Sequence, residues 1–600
     1  MGFEKRSAVL VRAIVLGTFF CLGMGFLVAR YWQVQIRRGP EHASRVAKQS
    51  IRHIRLPAVR GRIFARGGEI LVDNQAAYDV VFQVSEMRQS GGRQRSLDYL
   101  LAQANALARL LGRPPPLTAD GIRRHLRVYP AMPLTVFSDL TPRDLARVSE
   151  CLPRLPGMAI ATRCLRRYPV PGAATHVLGF AGRSRPADEF LLRRYSYVMP
   201  ELHGKDGLEL TYDEDLAGRP GMRTVRVNTL GYIYQDIGQR LEPQPGADLH
   251  LTLDLRAQQV AERMMAGHCG ALVLLDVSNG AVLAMASSPS YPLETLTAEA
   301  YGELARDTVN RPLVNRAVSA GYLPGSIVKP LIGLAALEAG VIDARTSTRV
   351  CPGYYQLGDT RIGCWYRHGH GQLDLRHAIE QSCNAFFIDV GLATGLERIQ
   401  PILLGAGLGE APEIDLPYAG HGLVPTRSWA LEQWERDWMA IDTAYLSIGQ
   451  GGIGVSPLQA ALYTAAIANG GTVFRPYLVA RIAEPSGEDR KTTPPMARHL
   501  LPVSAENLAA IRDGMTLVVN GENGIAAAAR NPAITLAGKT GTAEVGPRGS
   551  RYDNAWFIGY GPVEAPRYAI AVLVEHGVSG GKTAAPLASQ FFVRWLTPTP

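Results

Sequence analysis

The first thirty residues contain a long apolar run. From Ala13 to Ala29 the sequence AIVLGTFFCLGMGFLVA has no charged residue, and Ala8–Val11 extend the run beyond Arg12. About 20 apolar residues are enough to cross a hydrocarbon core of ~30 Å, and an arginine near one end can extend its charge to the interface. The run predicts a transmembrane anchor at 1–30. A cleaved signal peptide is the alternative, but the run is long for one and no small-x-small site ends it.

After the anchor, short β-like runs alternate with helical stretches. YDVVFQV at 78–84 and LHLTLDL at 249–255 have the pattern of strands, whereas LDYLLAQANALARLLG has that of an amphipathic helix. Glycine and proline interrupt these runs often, and no nucleophile-plus-base motif occurs among them. We therefore predict a non-catalytic α+β module over 31–255.

The remaining residues, 256–600, have strand-like runs at both ends and helical runs between them. ALVLLDVSNGAVLAMAS holds two apolar runs joined at Asn279-Gly280, a dipeptide that favours a type I′ hairpin because both central positions need positive φ. Three more β-like runs, ITLAGKTGTAEV, NAWFIGYG and RYAIAVLVEH, close the chain. This order predicts an antiparallel sheet assembled from distant segments and flanked by helices. The fold class is therefore multidomain α+β, since 600 residues exceed one core.

Composition is that of folded domains, with 46% hydrophobic and 19% charged residues. The formal net charge of +10 is mostly arginine, and no nucleic-acid-binding motif accompanies it. We therefore expect a mildly basic surface near an anionic membrane or wall, and no nucleic-acid partner. Lysine is scarce in the chain. Unlike arginine, a lysine side chain can lose its proton and act as a base. The seven lysines are Lys5, Lys48, Lys205, Lys329, Lys491, Lys539 and Lys582.

One lysine follows a serine by three residues at the start of an apolar helical run. PGSIVKP leads into LIGLAALEAG, so Ser326 lies near a helix N-terminus and Lys329 on the same helix face. A buried lysine with a lowered pKa can remove the hydroxyl proton of a serine nucleophile. By itself S-x-x-K is a weak motif, and an N-cap serine beside a surface lysine explains it equally well. A second match, Ser579 to Lys582, encloses two glycines, for which we predict a loop.

Two further motifs occur once each. Ser382-Cys383-Asn384 lies within a predicted amphipathic helix, and Lys539-Thr540-Gly541-Thr542 lies on a predicted strand. A strand edge with lysine, hydroxyls and glycine suits a peptide that ends in a carboxylate. In the order S-x-x-K, S-x-N, K-T-G, the three motifs are the signature set of serine β-lactamases and penicillin-binding proteins.

Over nearly its whole length the chain resembles class B penicillin-binding proteins, which are peptidoglycan D,D-transpeptidases and β-lactam targets. The first module resembles their pedestal in RGRIFARGGEILVDN, THVLGFAGR and GKDGLELTYDEDLAG. PGSIVKP and SIGQGGIGVSPLQ are most similar to the cell-elongation type rather than the division type. The resemblance implies a transpeptidase domain over 256–600 that cross-links stem peptides during elongation and shape maintenance.

The resemblance also implies residue roles. Ser326 would be the acylated nucleophile and Lys329 its base, Ser382 a proton relay, and Asn384 a ligand of the substrate amide. The donor carboxylate would bind Lys539, Thr540, Gly541 and Thr542, and the backbone N–H groups of Ser326 and Thr542 would form the oxyanion hole.

Two cysteines and two histidines, His368 and His370, lie between the first two motifs, and a third cysteine lies inside the second motif. Cys351, Cys364 and Cys383 with one histidine make a tetrahedral zinc set, but the spacing matches no compact zinc finger. A Cys351–Cys364 disulfide with Cys383 buried is the alternative. Some members of the resembled family carry zinc at positions matching Cys364, His370 and Cys383, with Cys351 close to the fourth, which favours a structural zinc and His370 over His368.

The large first module and the anchor argue against a secreted β-lactamase, and the intact motifs argue against a scaffold or sensor. A D,D-carboxypeptidase that passes the acyl group to water remains the alternative enzyme. We expect a single-pass protein of the inner membrane with its catalytic domain in the periplasm. The resemblance implies a RodA-type glycosyltransferase and other elongation-complex membrane proteins as partners.

Overall fold

The computed structural model describes residues 3–41, 50–90, 92–114, 117–184, 195–197, 201–230, 232–545 and 553–597. A helix at Phe3–Trp32 continues into a π-helical turn at Gln33–Arg37. The segment Val9–Arg37 has a mean hydropathy of 2.0, and none of it is buried in the protein. It is therefore long and apolar enough to span a membrane, in agreement with the sequence prediction.

The first module is built on a sheet that also takes strands from the second half of the chain. Along this sheet the strands follow the order 489–492, 479–483, 248–251, 63–64, 70–82 and 134–137, and 158–167 pairs with 70–82. Strand Asp248–Leu251 lies parallel to Ile63–Phe64 and antiparallel to Val479–Ala483, so it joins the two halves. A second, three-stranded sheet contains 51–56, 221–227 and 233–241. Helices of this module are Arg93–Leu111, Ala119–Val128, Pro142–Cys151, Thr175–Leu178, Gly207–Thr211 and Asp213–Ala217.

The second unit contains the predicted antiparallel sheet. Its five strands follow the order 282–288, 270–276, 568–574, 554–561 and 537–543, so the first hairpin lies next to the last three strands of the chain. Small two-stranded sheets join 349–351 to 371–373, 354–357 to 360–363, and 472–474 to 497–500. The fold class is therefore as predicted, multidomain α+β with helices around an antiparallel sheet.

Helices pack on the sheet, and one of them is central. Pro457–Asn469 is buried along nearly its whole length; Ser456 and Gln459 form a capping box at its start, and Gly470 ends it in the left-handed conformation. The remaining helices of this unit are Leu255–Met265, Ala298–Arg306, Lys329–Glu338, Leu375–Glu380, Asn384–Thr394, Leu396–Gly405, Arg427–Trp434, Ala440–Leu446, Ala505–Asn520 and Ala585–Leu596.

Three local predictions were wrong. The connection at Asn279-Gly280 is longer than a type I′ turn, because the strands end at Asp276 and begin again at Val282 and only Gly280 has a positive φ. Strands do not close the chain, since helix Ala585–Leu596 follows them. Gly580–Ala584 is a short π-helical turn rather than a loop, because the Ser579 hydroxyl accepts a bond from the Lys582 N–H and caps it.

Candidate active site

Ser326 lies in a tight helical turn that feeds a buried helix. The 3₁₀ turn Gly325–Val328 continues directly into helix Lys329–Glu338, which is buried except at its last residue. Side chains three apart eclipse one another in a 3₁₀ turn, and the Lys329 N–H donates to the Ser326 carbonyl. The structure thus places Ser326 and Lys329 on one face, as the spacing predicts.

Neighbouring segments fix the backbone around Ser326. Gly325 has φ +55°, and a Cβ there would lie 2.7 Å from the carbonyl oxygen of Thr542. Its N–H donates to the Gly449 carbonyl at 2.9 Å. Two buried side chains bind carbonyls on either side, the Trp556 indole to Leu323 at 3.0 Å and the Tyr463 hydroxyl to Ile327 at 2.9 Å. Only glycine combines this φ with this close approach.

The S-x-N motif is at a break between two helices, and the prediction of one continuous helix through it was wrong. Helix Leu375–Glu380 ends before it, and Cys383 is the N-cap of helix Asn384–Thr394. Between them Ser382 has φ 52°, a left-handed conformation that is uncommon for residues with a Cβ. Nothing in the apolar periodicity signals this break.

The Ser382 hydroxyl links all three motifs. Lys329 Nζ donates to the Ser382 carbonyl at 2.8 Å, to its Oγ at 3.2 Å and to Asn384 Oδ1 at 2.7 Å. Lys539 Nζ donates to the same Oγ at 2.8 Å and to the Thr540 carbonyl at 2.9 Å. Four predicted site residues, Lys329, Ser382, Asn384 and Lys539, therefore form one hydrogen-bonded group, and Lys329 connects it to the turn that carries Ser326.

Burial makes the two ammonium groups easier to deprotonate. Both lysine side chains are fully buried. Loss of hydration lowers the pKa of Lys329 to about 8, while the thiols of Cys383 and Cys364 act in the opposite direction. Burial, followed by repulsion from Lys329, holds the pKa of Lys539 well below its ordinary value. A neutral amine is therefore accessible near neutral pH, as a general base requires.

The K-T-G motif is on the last strand in the order of the five-stranded sheet. In strand Ala537–Ala543, Thr540 is buried and Thr542 is exposed. Gly541 allows the Ser326 segment to approach, since a Cβ would lie 2.8 Å from the Pro324 carbonyl oxygen. Behind it, the Gly580 N–H donates to Thr542 Oγ1 at 3.3 Å. A strand of this kind can pair with an extended peptide through its backbone groups.

The four residues predicted as metal ligands converge. One ligand atom from each of Cys351, Cys364, His370 and Cys383 lies within 4.8 Å of the others. His370 Nδ1 is 3.5 Å from Cys351 Sγ and 3.6 Å from Cys364 Sγ. With Zn–S of ~2.3 Å and Zn–N of ~2.0 Å, tetrahedral geometry requires about 3.5 Å between such atoms. These residues therefore fit a zinc ion, and all seven cysteines of the chain are free thiols.

Comparison with known proteins agrees with this geometry. Residues 270–592 match the family described as "Penicillin binding protein transpeptidase domain", and residues 55–251 match "Penicillin-binding Protein dimerisation domain". The chain is 31% identical to the peptidoglycan D,D-transpeptidase MrdA of Acinetobacter baumannii, over 96% of this chain and 87% of the relative. It is also 31% identical to MrdA of Escherichia coli, over 96% and 93%.

Solved structures give the same result. The Helicobacter pylori PBP2 chain from its complex with MreC has a TM-score of 0.77 and 29% identity, over 90% of this chain and 98% of that one. Pseudomonas aeruginosa PBP2 in complex with WCK 5153 has a TM-score of 0.65 and 30% identity, over 90% and 97%.

A serine-centred transpeptidase domain on a dimerisation-type module defines a penicillin-binding protein. Within that class the chain belongs to the MrdA, or penicillin-binding protein 2, family of peptidoglycan D,D-transpeptidases. It is therefore a serine-type enzyme of peptidoglycan cross-linking in cell elongation and shape maintenance.

Several residues that hold the site could not be identified from the sequence. Trp556, Tyr463 and Gly449 fix the backbone around Ser326 from distant elements. Glu575 accepts bonds from the Tyr322 hydroxyl at 2.6 Å and from Arg316 Nε at 2.9 Å, and so ties the segment before Ser326 to the end of a central strand. These contacts join residues more than 100 positions apart and follow no local pattern.

Proposed function

We propose that Ser326 attacks the penultimate carbonyl of a donor stem peptide while Lys329 takes the hydroxyl proton. The bond from the carbonyl carbon to Ser326 Oγ forms, the peptide bond to the terminal D-alanine breaks, and that amine receives a proton through Ser382. An acceptor amine then attacks the acyl carbonyl and gives up a proton to Lys329, the bond to Oγ breaks, and Oγ receives that proton. The shared Ser382 hydroxyl between two buried lysines is the observation that carries this proposal.

The donor carboxylate is assigned to Lys539, Thr540, Gly541 and Thr542, and the oxyanion to the backbone N–H groups of Ser326 and Thr542. Support comes from the close packing of Gly325 on the Thr542 carbonyl, which brings both backbones together. Asn384, held by Lys329, is assigned to the substrate amide. β-Lactams would acylate Ser326 in the same way.

Fluorescent penicillin tests this assignment on the full chain in detergent. Ser326→Ala should abolish covalent labelling, and Lys329→Arg should also lose it because a guanidinium does not give up its proton. Ser579→Ala is the matched control, since it removes the serine of the other S-x-x-K match and should retain labelling. Covalent labelling of the Ser326→Ala protein would overturn the nucleophile assignment.

We also assign the catalytic domain to the periplasmic side of the inner membrane, with a RodA-type glycosyltransferase as partner through the anchor and first module. The apolar helix supports an anchored protein. The H. pylori relative was solved with MreC, and a further relative at 27% identity and TM-score 0.67 belongs to a complex described as coordinating polymerization and crosslinking. Protease added to intact spheroplasts should cleave the second unit; protection there would contradict this topology.

A structural zinc on Cys351, Cys364, His370 and Cys383 is proposed on the distances given above. The ion would brace these side chains and carry no step of the reaction. Purified full chain should contain stoichiometric zinc, and Cys364→Ser should lose both the metal and thermal stability, whereas Cys269→Ser should lose neither. Absence of zinc together with an oxidised Cys351–Cys364 pair in mass spectrometry would replace this proposal by the disulfide.

A further inference from the structure

A cavity of about 540 Å³ lies beside the Ser326 segment and takes no part in the chemistry described so far. Three glycine-rich backbone strips line it, Ala320–Gly321, Gly420–Leu423 and Gly451–Gly454, together with the indoles of Trp429 and Trp434. Among the described residues, none of those lining the cavity is a carboxylate, a lysine or an arginine. The cavity therefore presents aromatic surface, backbone polar groups and the imidazole of His421.

The lining is rigid. Leu423 and Gly454 exchange two backbone hydrogen bonds, of 2.8 and 3.0 Å. The Trp429 ring is packed on Gly452, where an added Cβ would overlap the ring. Trp429 meets Trp434 edge to face with centroids 4.7 Å apart, and Trp434 is in turn stacked on Trp438. A pre-formed aromatic wall loses little freedom on binding, which favours a ligand site over a packing defect.

One strip of the cavity continues to the nucleophile. Tyr322 pairs with Val455 through backbone bonds of 3.2 and 2.8 Å, and three residues further the Gly325 N–H donates to the Gly449 carbonyl. At ~3.3 Å per residue, the five residues from Gly321 to Ser326 span at most about 16 Å. The cavity is therefore within the length of a short peptide from the nucleophile.

The cavity also lies on the side of the nucleophile segment away from the carboxylate-binding strand. Gly325 contacts Thr542 of that strand and Gly449, which lies two residues before the cavity strip Gly451–Gly454, so Gly325 lies between the strand and that strip. When a donor peptide occupies Lys539 and Thr542, the cavity side of the nucleophile segment stays accessible to the second substrate. A second substrate that binds in the cavity and reacts at Ser326 therefore needs a spacer of about peptide length between its bound group and its reacting amine.

We propose that this cavity binds an N-acetylated sugar of the acceptor peptidoglycan strand. The inference rests on the proposed acyl-enzyme at Ser326 and adds a subsite for the second substrate. The faces of a pyranose ring carry C–H groups that pack on indole, while hydroxyl and acetamido groups on its rim match backbone N–H and C=O groups. A lining without lysine or arginine suits a neutral sugar better than a stem peptide with its carboxylates.

Two acceptors test this subsite, a disaccharide-peptide and the same peptide without sugar. In the wild type the disaccharide-peptide should have the lower KM. Trp429→Ala should raise that KM about tenfold and leave the KM of the sugar-free peptide unchanged. The matched control is Leu431→Ala, an exposed residue of the same helix that does not line the cavity. Fluorescent-penicillin acylation of Ser326 should stay at the wild-type rate in both variants.

Equal KM values for the two acceptors in the wild type, or an unchanged KM in Trp429→Ala, would overturn the proposal. Should Trp429→Ala fail to fold, Trp429→Phe and a direct measurement replace it. Free disaccharide should change the indole fluorescence of the wild type in a saturable way, and no change would equally reject the subsite. Failure of the wild type to react with penicillin would instead count against the proposed function.

Discussion

Replacement of Ser382 by alanine is the sharpest test of the hydrogen-bonded group. The change removes one oxygen that accepts from Lys329 at 3.2 Å and from Lys539 at 2.8 Å. Lys329 keeps the Ser382 carbonyl and Asn384 as acceptors, whereas Lys539 keeps the Thr540 carbonyl. Both ammonium groups are fully buried, so no water replaces the lost acceptor without rearrangement.

The expected loss follows from the strength of such bonds. A hydrogen bond to a charged group contributes ~1.5–3 kcal/mol, and two bonds that share an acceptor are not additive. We therefore expect ~2–4 kcal/mol of lost transition-state stabilisation in Ser382→Ala. Each 1.36 kcal/mol is a factor of ten in rate, so acylation should slow by about 30- to 1000-fold.

The assay is the second-order rate constant for acylation by a fluorescent penicillin, measured by stopped flow on the full chain in detergent. Ser447→Ala is the control, because its buried hydroxyl also makes a hydrogen bond, to the Thr443 carbonyl at 2.7 Å, but contacts neither lysine. That variant should acylate at nearly the wild-type rate. A folded Ser382→Ala protein that also acylates at the wild-type rate would refute the relay.

Two further predictions concern packing and pH. In Gly580→Ala the new Cβ would overlap the Trp556 carbonyl oxygen. The free energy of unfolding, measured by thermal unfolding, should therefore fall by ~1–3 kcal/mol, and acylation should slow. Gly302 has space for a Cβ, so Gly302→Ala should not be destabilised. Burial lowers the pKa of His176 to about 4, and its ring bonds the Pro312 carbonyl. In the unfolded state the His176 pKa is near 6.5, so the unfolded chain binds the proton more readily than the folded protein. The contribution of His176 to the free energy of unfolding is therefore complete above pH 6.5 and falls by about 3 kcal/mol as the pH drops to 4. His176→Gln should lack that part of the pH dependence in denaturant unfolding; an identical pH profile would contradict the assignment.

The sequence predicted what depends on local periodicity and on spacing. The apolar run predicted a helix long enough to span a membrane, and the strand-like runs predicted all five strands of the five-stranded sheet, because both features repeat over many residues. The three-residue spacing of Ser326 and Lys329 predicted a shared helix face, because residues three apart lie on the same side of a helical turn. Residues that act through their own short motif were therefore accessible without the structure.

What the sequence could not give depends on long-range contacts or on one backbone angle. The break at Ser382 lies inside a stretch whose sequence predicts one helix. The positive φ of Ser382 interrupts that helix, and no sequence pattern predicts this angle. At Asn279-Gly280 a strong local turn signal predicted a two-residue turn, but the strands end at Asp276 and begin again at Val282, so the connection is longer. Strand Asp248–Leu251 pairs with both halves of the chain, which no local pattern reveals.

The strained turn is stable because it is held from two sides at once. A left-handed residue with a Cβ costs ~1–2 kcal/mol, and the N–H groups of Ser382 and Cys383 offset part of this by bonding carbonyls of the preceding helix at 3.2 and 3.0 Å. On one side Lys329 binds the Ser382 carbonyl; on the other the Asn384 N–H donates to Cys364 Sγ at 3.3 Å. The thiol cluster and Lys329 therefore brace the same three residues. A change that displaces Cys364 should misplace the Ser382 hydroxyl before it unfolds the domain.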